Sequence, residues 1–243
     1  MRRTFKRLMA RRSTPNLYAL SIMQTNNGYR TDSKPVSNAT HTRAGHVAHC
    51  DPGTRLEVIA QIKQWLNSSD KQAAICWLSG PAGYGKSAVA QTIAERYAAK
   101  GRLLGCFFFL RGAGERSHIS HLIPTLAHQI SLSVPAVKPL LEKALRDEPD
   151  MLGPSASLAH QFQKLIIEPI QSTNSVLSSF EVFSHLAKQK IFVIDALDEC
   201  NDKAEMAAFI DVLLIASSGR RYTSTCDLTP TTLSPPTIQT GHG

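Results

Sequence analysis

The chain has 243 residues, 42% of them hydrophobic, and a formal net charge of +8. That is enough apolar material for one real core with at most a small accessory part. Residues 1–50 hold nine Lys or Arg against one acid, so the rest of the chain carries 18 of each sign, and a basic nucleic-acid-binding domain is not indicated.

The basic leader is Ser/Thr-rich and almost free of acids, a composition shared by mitochondrial transit peptides and by solvated tails. Its apolar residues are sparse and no cleavage signal is legible, so residues 1–48 are expected to be a disordered tail, with cytoplasmic location the main expectation and mitochondrial targeting the lesser one. No run approaches the about 18 apolar residues that a membrane helix needs. Cys50, Cys76, Cys106, Cys200 and Cys226 form no CxxC pair, and the nine histidines show no metal-ligand spacing. Buried, reduced thiols are the reading for the cysteines in apolar runs.

Leu56, Ile59, Ile62 and Leu66 recur at helical spacing after the turn residues of "DPGTR". "AAICWL" (73–78) predicts a buried strand, residues 86–99 an Ala-rich helix, and "LLGCFFFL" (103–110) a second buried strand. This order predicts a βαβ unit with a parallel sheet and helices on both faces. From 117 to 170 the pattern is helical: "HISHLIPTLAHQISLS", with Pro124 expected to kink it, then "PAVKPLLEKALRDEP" and "SLAHQFQKLIIEPI". Residues 171–189 are Ser-rich and fit neither neighbour. "KIFVIDAL" from Lys190 predicts a strand, "KAEMAAFIDVLLIASS" an amphipathic helix, and the Thr/Ser/Pro-rich residues 219–243 a disordered tail. The domain proper is expected over 49–218, with 171–189 an atypical insert.

Chemistry enters at the first strand–helix joint. Gly80-Pro81-Ala82-Gly83-Tyr84-Gly85-Lys86-Ser87 fits GxxxxGK[ST], the Walker A or P-loop pattern, and Ala88 follows it. Glycines let successive N–H groups turn inward onto phosphate oxygens, and the helix starting there presents its positive end. Lys86 is expected to meet the β and γ phosphates, and the Ser87 hydroxyl a magnesium ion. "IFVIDALDEC" (191–200) is the matching Walker B arrangement: Asp195 ends a buried strand, expected beside the P-loop strand, where Mg2+ needs a carboxylate. Asp198 and Glu199 follow, placed to orient or deprotonate an attacking water. The expected fold class is therefore α/β, a P-loop NTPase with a parallel sheet flanked by helices, with ATP or GTP and Mg2+ as its ligands.

Taken together, "CDPGTR…IKQWL", "WLSGPAGYGKSAVAQTIAE", "CFFFLRG…ERS", "LIPTLAHQI", "QFQKLIIEPI" and "IFVIDALDEC" resemble the NACHT nucleoside triphosphatases of the STAND class, in particular the type abundant in fungi. The likeness covers about residues 50–218 without 171–189. It implies that Asp195 holds magnesium, that Asp198 and Glu199 are the hydrolytic acids, and that the chain is a nucleotide-controlled signalling switch of self/non-self recognition and programmed cell death. In the family the helix after Walker B leads to another core strand ending in an arginine that senses the γ-phosphate. Here low-complexity sequence stands there, Arg220 and Arg221 come too early to be carried over, and the resemblance implies a truncated domain with impaired hydrolysis. Two readings stay open: a magnesium-dependent switch that binds better than it turns over, and a non-catalytic fragment that self-associates or partners full-length relatives, or has no function. No second-substrate pocket supports a metabolic P-loop kinase, and neither nucleic acid nor membrane is an expected partner.

Overall fold

The computed structural model describes residues 34–45, 47–67, 73–177, 190–217 and 222–227. Helix α1 (Leu56–Asn67) leads to strand β1 (Ala73–Ser79), and the phosphate-loop sequence passes into α2 (Lys86–Ala98) and then β2 (Leu103–Phe108). Helices α3 (Leu122–Ser133), α4 (Lys138–Asp147), α5 (Leu158–Phe162) and α6 (Glu168–Leu177) fill the excursion before β3 (Ile191–Asp195), α7 (Lys203–Ser217) and β4 (Tyr222–Asp227). The strands form two parallel pairs. β2 lies along β3 with Cys106 opposite Val193 and Phe108 opposite Asp195; β1 lies along β4 with Trp77 opposite Thr225 and Ser79 opposite Asp227. A mixed α/β architecture with a small parallel sheet flanked by helices follows.

β2 is buried along its whole length, as an unbroken apolar run should be when helices cover both faces. On one face Phe107 and Phe109 join Leu122, Ile123, Leu126 and Ile130 of α3; on the other Cys106 and Phe108 join Val89, Ile93 and Tyr97 of α2 and Val58, Ile59, Ile62 and Leu66 of α1. Gly105 lets α3 come close: a Cβ there would meet Leu126 Cδ2 at 3.1 Å. Gln129 of α3 reaches the edge of β2, where Oε1 accepts the Cys106 N–H at 3.0 Å and Nε2 donates to the Cys106 carbonyl at 2.8 Å.

Several sequence expectations are corrected here. The leader expected to be disordered through residue 48 is packed from residue 34 onward. Val36 is 3% exposed and Ala39 fully buried; the Val36 N–H donates to Thr125 Oγ1 at 2.9 Å, and the His41 carbonyl accepts from Gln91 Nε2 at 2.7 Å. Two small apolar residues suffice because the strap's polar backbone finds side-chain partners on α2 and α3. Residues 1–33 lie outside the described residues. The tail expected to be disordered from 219 contains β4, whose Tyr222-Thr-Ser-Thr run carries the β-branched and aromatic residues that suit a pleated strand; residues 228–243 lie outside the described residues.

The acid strand is not hydrogen-bonded to the P-loop strand among the described residues: β1 pairs with β4 and β3 with β2. Pro124 falls in the first turn of α3, which begins only at Leu122 and not near His118, and there its missing N–H needs no partner. The expected helix ending near Ile170 instead runs on to Leu177, so the Ser-rich stretch starts as helix; 178–189 lie outside the described residues. Between α5 and α6 a wide turn (Gln163–Ile167), in which the Glu168 N–H bonds the Gln163 carbonyl, precedes Pro169, whose missing N–H disrupts the regular ladder.

Candidate functional site

The phosphate loop joins β1 to α2 through residues that only a glycine tolerates well. Gly80, Gly83 and Gly85 have φ of 147°, 79° and 78°, and Gly85 is the left-handed residue from which α2 starts. Pro81, Ala82, Gly83, Tyr84 and Ser87 are exposed, while Gly80, Gly85, Lys86 and Ala88 are half-buried. Lys86 folds back over the loop: its Nζ donates to the carbonyl of Gly80 at 2.8 Å and of Pro81 at 3.0 Å. The ammonium is thus held across the turn by carbonyls alone, two weak partners for a full charge. One cation beside this loop has no role of its own in the sequence reading: the Arg55 guanidinium, whose Nη2 lies 3.9 Å from where a Gly85 Cβ would stand.

At the carboxyl end of β3, the Asp195 carboxylate lies near enough to the Ser87 hydroxyl for that hydroxyl to favour its charged form. The two residues singled out for magnesium, one from each motif, are therefore neighbours. Burial raises the Asp195 carboxyl above its usual range, and the Ser87 hydroxyl, the Ala196 N–H and the nearby Arg43 charge act against it. The next residue, Ala196, sits at φ 58° and ψ 45°, a left-handed conformation that costs a non-glycine about 1–2 kcal/mol. Such strain marks places where the chain must turn sharply after delivering a side chain. Here it turns Leu197–Glu199 away from the strand.

Asp198 is exposed and Glu199 half-buried, and both are braced from the turn that follows β2. The Arg111 N–H donates to Glu199 Oε2 at 3.1 Å, its guanidinium donates to the Asp198 carbonyl at 2.9 Å, and Lys203 Nζ also donates to that carbonyl. Phe109 N–H bonds the Asp195 carbonyl at 3.1 Å, and Asn201 N–H bonds the Ser117 carbonyl at 2.8 Å. Arg116 holds the Phe108 carbonyl through Nε at 3.1 Å; burial lowers its guanidinium pKa and the Glu199 charge opposes that. Glu199 is thus near enough for its charge to act on Asp195, with one of its oxygens already engaged, whereas Asp198 is held through its carbonyl.

Arg43 is the residue that sequence reasoning misses, since it lies in the leader. Its guanidinium carbon stacks 4.0 Å from the Phe108 ring centroid, and its Nη1 donates to Gln91 Oε1 at 2.9 Å and to the Thr40 carbonyl at 3.0 Å. Cys106 beneath it is no nucleophile: burial pushes its thiol up to about 11. Among the described residues no group of three or more His, Cys, Asp or Glu could hold a metal by itself.

Magnesium takes oxygen ligands and keeps waters, binding proteins through one or two side chains plus phosphate. A serine hydroxyl and a carboxylate close together, beside a glycine-rich loop and a lysine, fit a metal–nucleotide complex. Comparison with known proteins gives one positive finding: the sequence model described as nephrocystin 3, N-terminal, matches residues 54–225. No curated protein and no solved structure matches. The matched span begins at the turn before α1, takes in the phosphate loop and the Asp195 strand, and ends inside β4; covering well over half of the sequence, it shows that the chain belongs to the nephrocystin 3, N-terminal, family.

Proposed function

We propose that the protein binds a nucleoside triphosphate, ATP or GTP, with Mg2+, as the nucleotide switch of a STAND-class signalling protein of the NACHT type seen in fungi, with a P-loop NTPase fold. The nearness of Ser87 to Asp195 carries this reading, because it brings together the one hydroxyl and the one carboxylate that the two motifs set aside for a magnesium ion. On binding, Lys86 exchanges the Gly80 and Pro81 carbonyls for phosphate oxygens. The N–H groups of the Gly80–Ala88 loop, Pro81 having none, line the polyphosphate, Ser87 and Asp195 hold the magnesium ion, and that ion neutralises phosphate charge. Asp198 and Glu199 orient the attacking water. Glu199 has one oxygen held by the Arg111 N–H, which restricts its turning towards the water and supports slow turnover.

The second reading, an interaction module without catalysis that pairs with its own copies or with longer relatives, draws on Trp77 and Leu214, large apolar residues 41% and 42% exposed. No described helix is long and apolar enough to cross a membrane. A cytoplasmic setting, with neither nucleic acid nor membrane as partner, is proposed. Calorimetry with Mg2+ and ATP, GTP or their diphosphates, on wild type and Lys86→Ala, tests the reading: saturable binding lost in Lys86→Ala supports it, and a folded wild type that binds none of the four overturns it.

A further inference from the structure

Arg43 stands outside the span that the family sequence model matches, yet its anchors belong to the site. Gln91, which accepts from Arg43 Nη1 at 2.9 Å, lies one helical turn beyond Ser87 on α2. Phe108, the ring beneath the guanidinium at 4.0 Å, is the register partner of Asp195 on β3, one strand spacing away. Arg43 is therefore fixed from two sides against the very residues that flank the Ser87–Asp195 pair. Arg116 reaches the same place from the opposite direction, through the carbonyl of Phe108.

Two half-buried guanidinium groups so arranged repel each other, and each lies within electrostatic range of the other. The acids nearby are partly committed: the Ser87 hydroxyl favours the charged form of Asp195, Glu199 takes the Arg111 N–H, and Glu95 takes the Gln91 amide at 2.7 Å. An incoming anion relieves this arrangement.

We propose that Arg43, stacked on Phe108 and aided by Arg116, binds the terminal phosphate and is the residue by which this site prefers a nucleoside triphosphate to a diphosphate. The proposal rests on the nucleotide reading above. It makes the strap of residues 34–45 part of the binding site and not merely a cover for β2. Planarity suits arginine to this role, because a guanidinium keeps one face on the ring while its edge donates to phosphate oxygens.

Calorimetry with Mg2+ and matched tri- and diphosphates on wild type, Arg43→Gln and Phe108→Leu tests the proposal. Arg43→Gln keeps a hydrogen-bonding side chain without charge; Phe108→Leu removes the ring but keeps an apolar residue, and melting temperatures establish that each variant is folded. We expect triphosphate affinity to fall about tenfold in either variant and diphosphate affinity to change less than twofold. Equal weakening of both nucleotides, or no weakening of either, overturns the role of Arg43 while leaving the nucleotide reading standing. A wild type that binds no nucleotide, or binds it as well after Lys86→Ala, overturns both.

Discussion

The two loops of the site are built in opposite ways. The phosphate loop is made of backbone: three glycines at positive φ, exposed residues between them, and a lysine resting on carbonyls of its own turn. The turn after Asp195 is made of side-chain braces: Arg111 and Lys203 on Asp198, Arg111 on Glu199, and a strained alanine at its root. A loop that must wrap a ligand keeps its N–H groups unspent, whereas a loop that supplies charge to a fixed point has to be held still.

The largest expected effect breaks the first loop's chemistry without touching its shape. Lys86→Ala should lower nucleotide affinity about 100-fold, about 2.7 kcal/mol, while the melting temperature without nucleotide stays the same, as read by calorimetry and thermal unfolding. Breaking its shape comes next. Gly85→Ala forces an alanine to φ 78° and should cost about 1–2 kcal/mol in urea unfolding, with weaker nucleotide binding as well. The same substitution reversed sharpens the contrast at the second loop. Ala196→Gly releases the left-handed strain but frees the unfolded chain, so a net gain of up to about 1 kcal/mol is expected in the same assay. Arg111→Ala, which removes one exposed brace, should cost about 0.5–1 kcal/mol and raise hydrogen exchange at Leu197–Cys200 before anywhere else.

Acidification also reaches two histidines that belong to neither loop. Burial lowers the pKa of His128 and, against the charge of Glu95, of His41 below 6.5. The unfolded chain then takes up more protons than the native one below about that pH, so stability falls as pH drops through 6.5 towards the lower native pKa values. Melting curves between pH 7.5 and 5.5 should show this drop, and His128→Gln should reduce it.

How much of this is legible in the sequence differs between the same regions. The strand–turn–helix around Lys86 and the apolar run ending at Asp195 are readable because each is a local pattern with its own composition. The strap is not, since Val36 and Ala39 are its only residues in the core and its other anchors, hydrogen bonds to Gln91, Cys106, His121 and Thr125 and the stacking of Arg43 on Phe108, reach partners far along the chain. β4 is hidden for a related reason. Thr and Ser dominate it, and the same letters spell low complexity in isolation and a strand once β1 is there to pair with. Which strand neighbours which is equally closed to local reading, and β3 lies against β2 instead of β1.

The amide of Gln129 imitates a peptide group: it offers Cys106 one acceptor and one donor at the spacing that a further strand would present. At that point the ladder is terminated by a side chain, and the terminator belongs to the helix that buries the strand's own face. A second copy seeking to extend the sheet across Cys106 would have to evict part of the first copy's core packing. Polymerisation through this edge is therefore blocked for as long as the fold itself survives.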